Sequence, residues 1–371
     1  MRFGKLALAI FVPVIVTTAA PLRVAIVGLE HGHVDGFLNG GSALVPAGGA
    51  LHRPDVEVVG VVDPRRDLFD SYAARLHLSS ALYFPDIAGM IAKVHPDAAL
   101  VFTSTLGHTA AVEECARQHI HVMMEKPMAV SYKDALAIAN AAKRNRVHVL
   151  VDYETTWYAS NKAAHDLVAN SVALGEITKV VVRDGHRGPK LIHVQPEFFA
   201  WLTDPRLNGA GALYDFGCYG ADLMTWLMRG QAPRWVTAVT QHQQPDVYPK
   251  VDDEADVILN YKNAVAIIQA SWNWPFDIKN MDVYGRTGYI KTLKRDHVEI
   301  RRKGESEGHT TDTTPLAPPY DDPLHYLAAV IRGEIEEDGS PSSLEVNVIV
   351  SEILDAARES ATTGRTVRLE R

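Results

Sequence analysis

Between residues 22 and 151 the chain repeats one pattern: a short run of β-branched and other apolar residues, then a stretch with helical spacing. The runs fall at 22–28, 56–63, 98–103, 120–124 and 147–151, and the helical stretches at 66–77, 85–93, 108–118 and 131–144. Runs without polar alternation suit strands buried on both faces, and parallel neighbours require crossover helices between them. The alternation therefore predicts an α/β fold built on a doubly wound parallel sheet. Ser131 followed by Asp134 has the form of a helix start, a hydroxyl cap and then a first-turn acid.

Beyond residue 151 the rhythm changes. A helix at 159–171 is followed by longer strand-like runs at 177–184, 236–244, 255–261, 264–272, 281–284 and 297–302, interrupted by a helix at 219–228. Lys262-Asn263 reads as a tight hairpin turn. Strands that succeed one another without helices predict a second, α+β domain around an open, mostly antiparallel sheet. Residues 303–323 are polar and proline-rich and read as a loop, with helices at 323–332 and 342–362 closing the chain. We set the domains at 21–151 and 152–371; a chain of 371 residues suits two cores better than one.

Residues 1–20 follow another plan. Arg2 and Lys5 precede an apolar run over 6–16, and Thr17-Thr18-Ala19-Ala20 supply small residues. We expect a signal peptide and export, because eleven residues span only about 16 Å as a helix, against a hydrocarbon core of ~30 Å. No later run is long and apolar enough for a bilayer, so no membrane contact is expected after processing. With 37 basic against 45 acidic residues, the charge of −8 argues against a nucleic-acid surface. Two cysteines, Cys115 and Cys218, cannot build a disulfide framework or a thiolate zinc site.

The first run ends in Gly28-Leu29-Glu30-His31-Gly32-His33. A glycine at such a turn lets backbone N–H groups approach a pyrophosphate, and Asp63 at the end of the second run suits a ribose hydroxyl, as in a Rossmann nucleotide site. Glu30 stands where the fingerprint has its second glycine and His33 where it has its third. Asp63 also lies farther on than the usual spacing of about 20, a glycine-rich insertion at 39–49 filling the difference. Arg65 and Arg66 follow directly, so NADP stays open beside the NAD that Asp63 favours. His31, His33 and His108 suggest a metal only weakly, since no carboxylate or thiolate completes a set by spacing; we expect none.

Three further segments carry more: Phe102-Thr-Ser-Thr-Leu-Gly-His108, then His121-Val-Met-Met-Glu125-Lys126-Pro127, then Gly211-Ala-Leu-Tyr-Asp215-Phe-Gly217-Cys-Tyr219-Gly-Ala-Asp222. In that order they resemble the glucose–fructose oxidoreductase / inositol dehydrogenase (Gfo/Idh/MocA) family, over about 22–362. The most specific part is Glu-Lys-Pro paired with the distant Asp-x-Gly-x-Tyr-x-x-Asp. The resemblance implies an N-terminal Rossmann domain joined to a C-terminal α+β domain with an open sheet. It also implies hydride transfer between a nicotinamide cofactor and a sugar, polyol or related hydroxyl compound, and dimers or tetramers formed through the open sheet.

Carried onto this sequence, the resemblance makes Lys126 the active-site lysine and Glu125 its cofactor-side neighbour. Asp215 would orient substrate or hold Lys126. Tyr219 stands where many members have a histidine, and serves as a base only if Lys126 favours its phenolate. Thr103 and His108 match a segment on the nicotinamide side. Tyr153 opens the first segment after the crossover and is a substrate candidate, although Thr155-Thr156-Trp157 replaces an arginine often found nearby. His186, after the first strand of the second domain, is a further candidate. All six tryptophans lie beyond residue 151, and the pair in Ser271-Trp-Asn-Trp-Pro275, Trp274 foremost, is expected to face the sugar.

These residues lead us to expect an exported, NAD(P)-dependent oxidoreductase of a sugar or sugar derivative, its cofactor tightly held and recycled within each turnover. One alternative is a redox glycosidase that oxidises a sugar hydroxyl transiently and eliminates the aglycone. The other is a sugar-binding protein with a degraded cofactor site, supported by Glu30 beside a pyrophosphate.

Overall fold

The computed structural model describes residues 20–41, 44–169, 171–337 and 339–369. The expected signal peptide falls almost wholly outside them. The first sheet holds β1 (Leu22–Val27), β2 (Val56–Val62), β3 (Tyr83–Phe84), β4 (Ala98–Val101), β5 (His121–Glu125) and β6 (Val149–Asp152). All are parallel, in the order β3-β2-β1-β4-β5-β6. Between them run α1 (His33–Asn39), α2 (Arg66–Leu76), α3 (Ile87–Val94), α4 (Gly107–Arg117) and α5 (Tyr132–Asn145). Ser131 caps α5 as its sequence predicts, its Oγ accepting from Asp134 N, and Asp86 caps α3 through Gly89 N. The strand order reverses between β1 and β4, where a crevice opens at the carboxyl ends.

The second sheet contains β7 (Ile177–Gly185), β8 (Trp235–Gln241), β9 (Glu254–Asn260), β10 (Val265–Ser271), β11 (Ile278–Gly285), β12 (Gly288–Lys294), β13 (His297–Arg302), β14 (His309–Asp312) and β15 (Val367–Arg368). Their order is β14-β13-β12-β11-β7-β10-β9-β8-β15. Neighbours are antiparallel except β7 and β10, which run parallel. The structure adds β12 and places β14 inside the stretch read as loop; its four exposed residues carry no apolar pattern. α6 (Ala159–Ala169) and α7 (Gly217–Leu227) precede β7 and β8, and every residue of α7 is buried. Gly220 lets α7 approach the sheet closely, since a Cβ there would meet Ile268 Cγ2 at 2.6 Å.

The boundary near 152 coincides with the end of β6, but one later segment does not stay with the second domain. α8 (Pro323–Ile331) returns to the first domain, where Leu324, Tyr326, Leu327, Ala328 and Val330 share a core with Leu22, Val24 and Phe37. α9 (Leu344–Thr363) stays with the second domain, packed on α7 and β8. The returning helix is fastened by one carboxylate. Asp322 caps α8 through Leu324 N and receives Ala47 N and the Arg53 guanidinium, at 2.7 Å for the latter. Both charged side chains are buried. Asp322→Ala would leave the Arg53 cation buried without this partner and remove the cap, so we expect a loss of about 3–5 kcal/mol. Urea unfolding checks it; an unchanged midpoint would mean that α8 is held by its apolar face alone.

Candidate active site

β5 ends at Glu125, so the next residue, Lys126, emerges at the carboxyl edge of the parallel sheet. Its ammonium donates to Asp215 Oδ1 at 2.6 Å and to the Asp215 carbonyl at 3.0 Å. Asp215 belongs to the short helix Ala212–Asp215 of the other domain, and its Oδ2 accepts from Trp272 Nε1 at 2.9 Å. Burial works to lower the Lys126 pKa, but the Asp215 carboxylate outweighs it and the net shift is upward. Asp215 shifts downward, burial being overcome by Lys126. Both groups therefore stay ionised through neutral pH, as a buried pair in which Lys126 spends two of its three N–H groups on Asp215.

The Lys126 nitrogen lies over the Tyr219 ring, 5.1 Å from its centroid. Lys279, on β11, comes to 4.9 Å of the same ring and pairs with Glu154, which also accepts from the Tyr158 hydroxyl. Glu154 is held at about 2, burial being outweighed by Lys279. Tyr219 differs from expectation. Burial pushes its phenol well above the ordinary 10, and nearby carboxylates, Glu154 foremost, push the same way. Lys126 therefore does not favour a phenolate here; Tyr219 is a protonated donor.

The crevice at the β1/β4 reversal has a volume of about 560 Å³ and is bordered by Gly28, Glu30, Asp63, Arg65 and Thr103. Gly28 has φ +87°, and a Cβ on it would stand 2.7 Å from Thr103 Cγ2, so the close approach of two loops requires glycine there. Asp63 accepts Leu29 N and Arg65 N, one on each oxygen, which turns its carboxylate into the mouth of the second strand. Glu30 is tied to Ser104 N at 2.7 Å. The carboxylate thus clamps the β1 and β4 loops, and the crevice remains open to a dinucleotide.

His31 and His33 are gathered by Glu125. His33 Nδ1 lies 2.9 Å and His31 Nε2 3.8 Å from its oxygens, and the three offer ligand atoms within 4.8 Å of one another. The fold thus supplies the carboxylate that spacing alone did not. The hydrogen-bond polarity is wrong for a cation, however. His31 Nδ1 accepts His33 N at 3.1 Å, so the neutral ring carries its proton on Nε2, whereas a ligating imidazole donates from its other nitrogen. Lys126 nearby adds repulsion, and burial drives His31 towards the neutral form.

Other candidates land elsewhere. Tyr153 is fully buried; its hydroxyl donates to Asn347 and its ring stands edge-on to Tyr219 at 5.5 Å, so it props the phenol rather than facing substrate. His108 is also buried, with Nδ1 at 3.3 Å from the Met128 carbonyl, and steadies the loop after Lys126 rather than bordering the crevice. Burial lowers it to about 4. Trp274 borders a separate polar cavity with Glu254, Asp256, Ser271 and Asn273. The tryptophan of the pair that touches the site is Trp272. His186 does face a cavity of about 440 Å³ that also meets Phe216, Glu154, Tyr158 and Lys279. Its Nδ1 accepts Gly188 N, which leaves Nε2–H as a donor.

Sequence reading singled out the Trp272/Trp274 pair but missed Glu154, Lys279 and Asp184. Asp184 shares the inward face of β7 with Val180 and Val182, so strand alternation was the available signal. It is buried, and neither oxygen has a hydrogen-bond partner among the described residues. Burial pushes its carboxyl up to about 8. The folded protein then keeps a proton that the unfolded chain releases above about 3.8, so this group costs stability as pH rises to about 8 and no more beyond. For Asp184→Asn, the melting temperature relative to the parent should climb between about pH 5 and pH 8 and then level. A pH-independent difference would show that Asp184 is ionised in the folded protein.

A parallel nucleotide-type sheet and a second sheet, meeting at a lysine–aspartate pair beside two openings, define a two-domain protein of the dinucleotide-binding class. Residues 22–153 match the domain described as "Oxidoreductase family, NAD-binding Rossmann fold", and residues 162–291 match the "GFO/IDH/MocA C-terminal domain". The chain belongs to the Gfo/Idh/MocA family. Among its relatives, rhizopine catabolism protein MocA of Rhizobium meliloti is 28% identical over 185 residues, 48% of this chain and 51% of that protein. D-glucoside 3-dehydrogenase of Escherichia coli (strain K12) is 27% identical over 221 residues, 60% of this chain and 58% of that protein. The match thus spans little more than half the length of either. An inositol dehydrogenase homologue from Azotobacter vinelandii, solved with NAD+, superposes with a TM-score of 0.79 at 18% identity, covering 95% of this chain and 98% of that one.

Proposed function

We propose that the protein is an NAD-dependent oxidoreductase that moves hydride between the cofactor and a hydroxyl-bearing carbon of a sugar or sugar derivative. The observation that carries this reading is the Lys126–Asp215 pair, which stands at the edge of the parallel sheet beside Phe216, a wall of the 440 Å³ cavity, 5.7 Å from the ammonium. The first-domain crevice suits the dinucleotide, and Asp63 supports NAD over NADP because a carboxylate there repels a 2′-phosphate. A relative named as acting on D-glucosides supports a carbohydrate substrate. The exposed face of the second sheet, where Val239 and Ile258 lie open, supports self-association.

When bound, the nicotinamide supplies or accepts the hydride. The chain's part is to hold the reacting oxygen and control its proton. Lys126 uses two N–H groups on Asp215, leaving the third to donate to a substrate oxygen and stabilise negative charge as it develops. Trp272 keeps Asp215 from rotating away. Tyr219 and His186 add neutral donors, so the resting site is set to give a proton to a carbonyl oxygen. Oxidation of an alcohol requires one donor to release its proton first, so that direction gains rate with rising pH.

Export would demand that the cofactor be kept. Retention is supported by segment 195–208 of the second domain, which lies over the first-domain loops: Trp201 Nε1 donates to the Glu30 carbonyl, Leu106 N to the Leu207 carbonyl, and Thr105 Oγ1 to Asn208. Mass spectrometry of purified, denatured protein should therefore release NAD; protein that releases none and shows no NAD binding sinks the reading. Lys126→Ala should lower turnover at least ~100-fold with cofactor still bound, as expected for loss of a charge aimed at the reacting oxygen. Near-normal rates would remove Lys126 from the chemistry.

A further inference from the structure

The 440 Å³ cavity has two unlike ends. Its more buried lining holds Glu154 paired with Lys279, the Nε2–H of His186 and the buried ring of Phe216. These groups adjoin Lys126, Asp215 and Tyr219, so a polyhydroxylated ring is served at that end. The outer end is built from two loops. One follows β10 and carries Phe276; the other follows β12, whose last residues include Leu293. Phe276 is 60% exposed and Leu293 40% exposed, yet both border the same cavity.

Single exposed apolar side chains are ordinary, but two bordering one ligand-sized opening offer apolar surface that a bound ligand would cover. Of the cations at this mouth, Lys279 is paired with Glu154 and the Arg295 guanidinium lies over the Tyr158 ring at 4.7 Å, while Asp277 also lines the opening. A cavity of this volume exceeds what one pyranose fills and lies within the range for a sugar with a second group attached.

We infer that the substrate is a glycoside whose aglycone is apolar or aromatic: the sugar ring enters towards Lys126, and the aglycone rests on Phe276 and Leu293. This rests on the oxidoreductase reading above and names its substrate class. An aromatic aglycone stacks on Phe276 and takes Leu293 out of water, whereas a free sugar leaves both exposed.

The experiment uses the full protein with its cofactor and matched methyl and phenyl glycosides of glucose, galactose, mannose and xylose, with the four free sugars, following reduction of the cofactor. For whichever sugar is turned over, phenyl should exceed methyl by about tenfold in kcat/KM, a gain typical of one apolar group in a half-open pocket. Phe276→Ala and, separately, Leu293→Ser should each lower that ratio several-fold. Both positions are exposed, and a ratio within one variant cancels any loss of folded protein. A ratio near one in the parent, or a ratio unmoved in both variants, overturns the inference. Oxidation of free sugars without that of phenyl glycosides overturns it too, while leaving the dehydrogenase reading standing. No turnover of any compound removes both.

Discussion

One buried ion pair joins the two halves of this protein. Lys126 is delivered by a parallel strand of the first domain and Asp215 by a short helix of the second, and neither charge would be tolerated there alone. Removing an ammonium and a carboxylate from water costs several kcal/mol per ion, offset only by close contact and further hydrogen bonds. The 2.6 Å contact, the Asp215 carbonyl and the Trp272 indole provide them. The surrounding core runs from Val122 and Met124 of the first domain through Tyr214 and Tyr219 to Trp272 of the second without interruption. Domain orientation and site geometry are therefore one constraint.

The same constraint explains the unusual turn after β1. Where glycines are customary, the chain carries Glu30 and His33, and neither side chain obstructs the crevice because each has a partner on another loop: Ser104 N for Glu30, Glu125 for His33. The turn is held by side chains rather than by close backbone packing alone. Only Gly28 keeps the conformational role, where Thr103 stands too close for any Cβ.

Much of the fold was legible in the sequence, because buried strands and amphipathic helices write their periods locally. The strands of the first sheet were found within a residue or two, apart from the two-residue β3. The failures share a cause. β14 is exposed and polar, α8 belongs to a core far away in sequence, Tyr153 is tied to Asn347, and Trp274 borders a separate cavity. Trp272 and Trp274 are two residues apart with the same side chain, and only the course of the chain after β10 decides which indole reaches Asp215. For Tyr219 the condition for acting as a base, a phenolate favoured by Lys126, is not met, since burial and the carboxylates of Glu154, Glu125 and Asp215, from three separated segments, oppose it.

The sequence by itself determined the class of sheet and the order of most of its elements, because local periodicity is a property of neighbouring residues; Lys126, Asp215 and Tyr219 were singled out by resemblance to the family. Tertiary structure decided what those groups are: which carboxylate neutralises Lys126, which acid stays protonated, which histidine donates, and where an apolar shelf meets a polar floor. Those outcomes depend on distance, desolvation and polarity among residues up to about a hundred positions apart, quantities that the folded chain alone possesses.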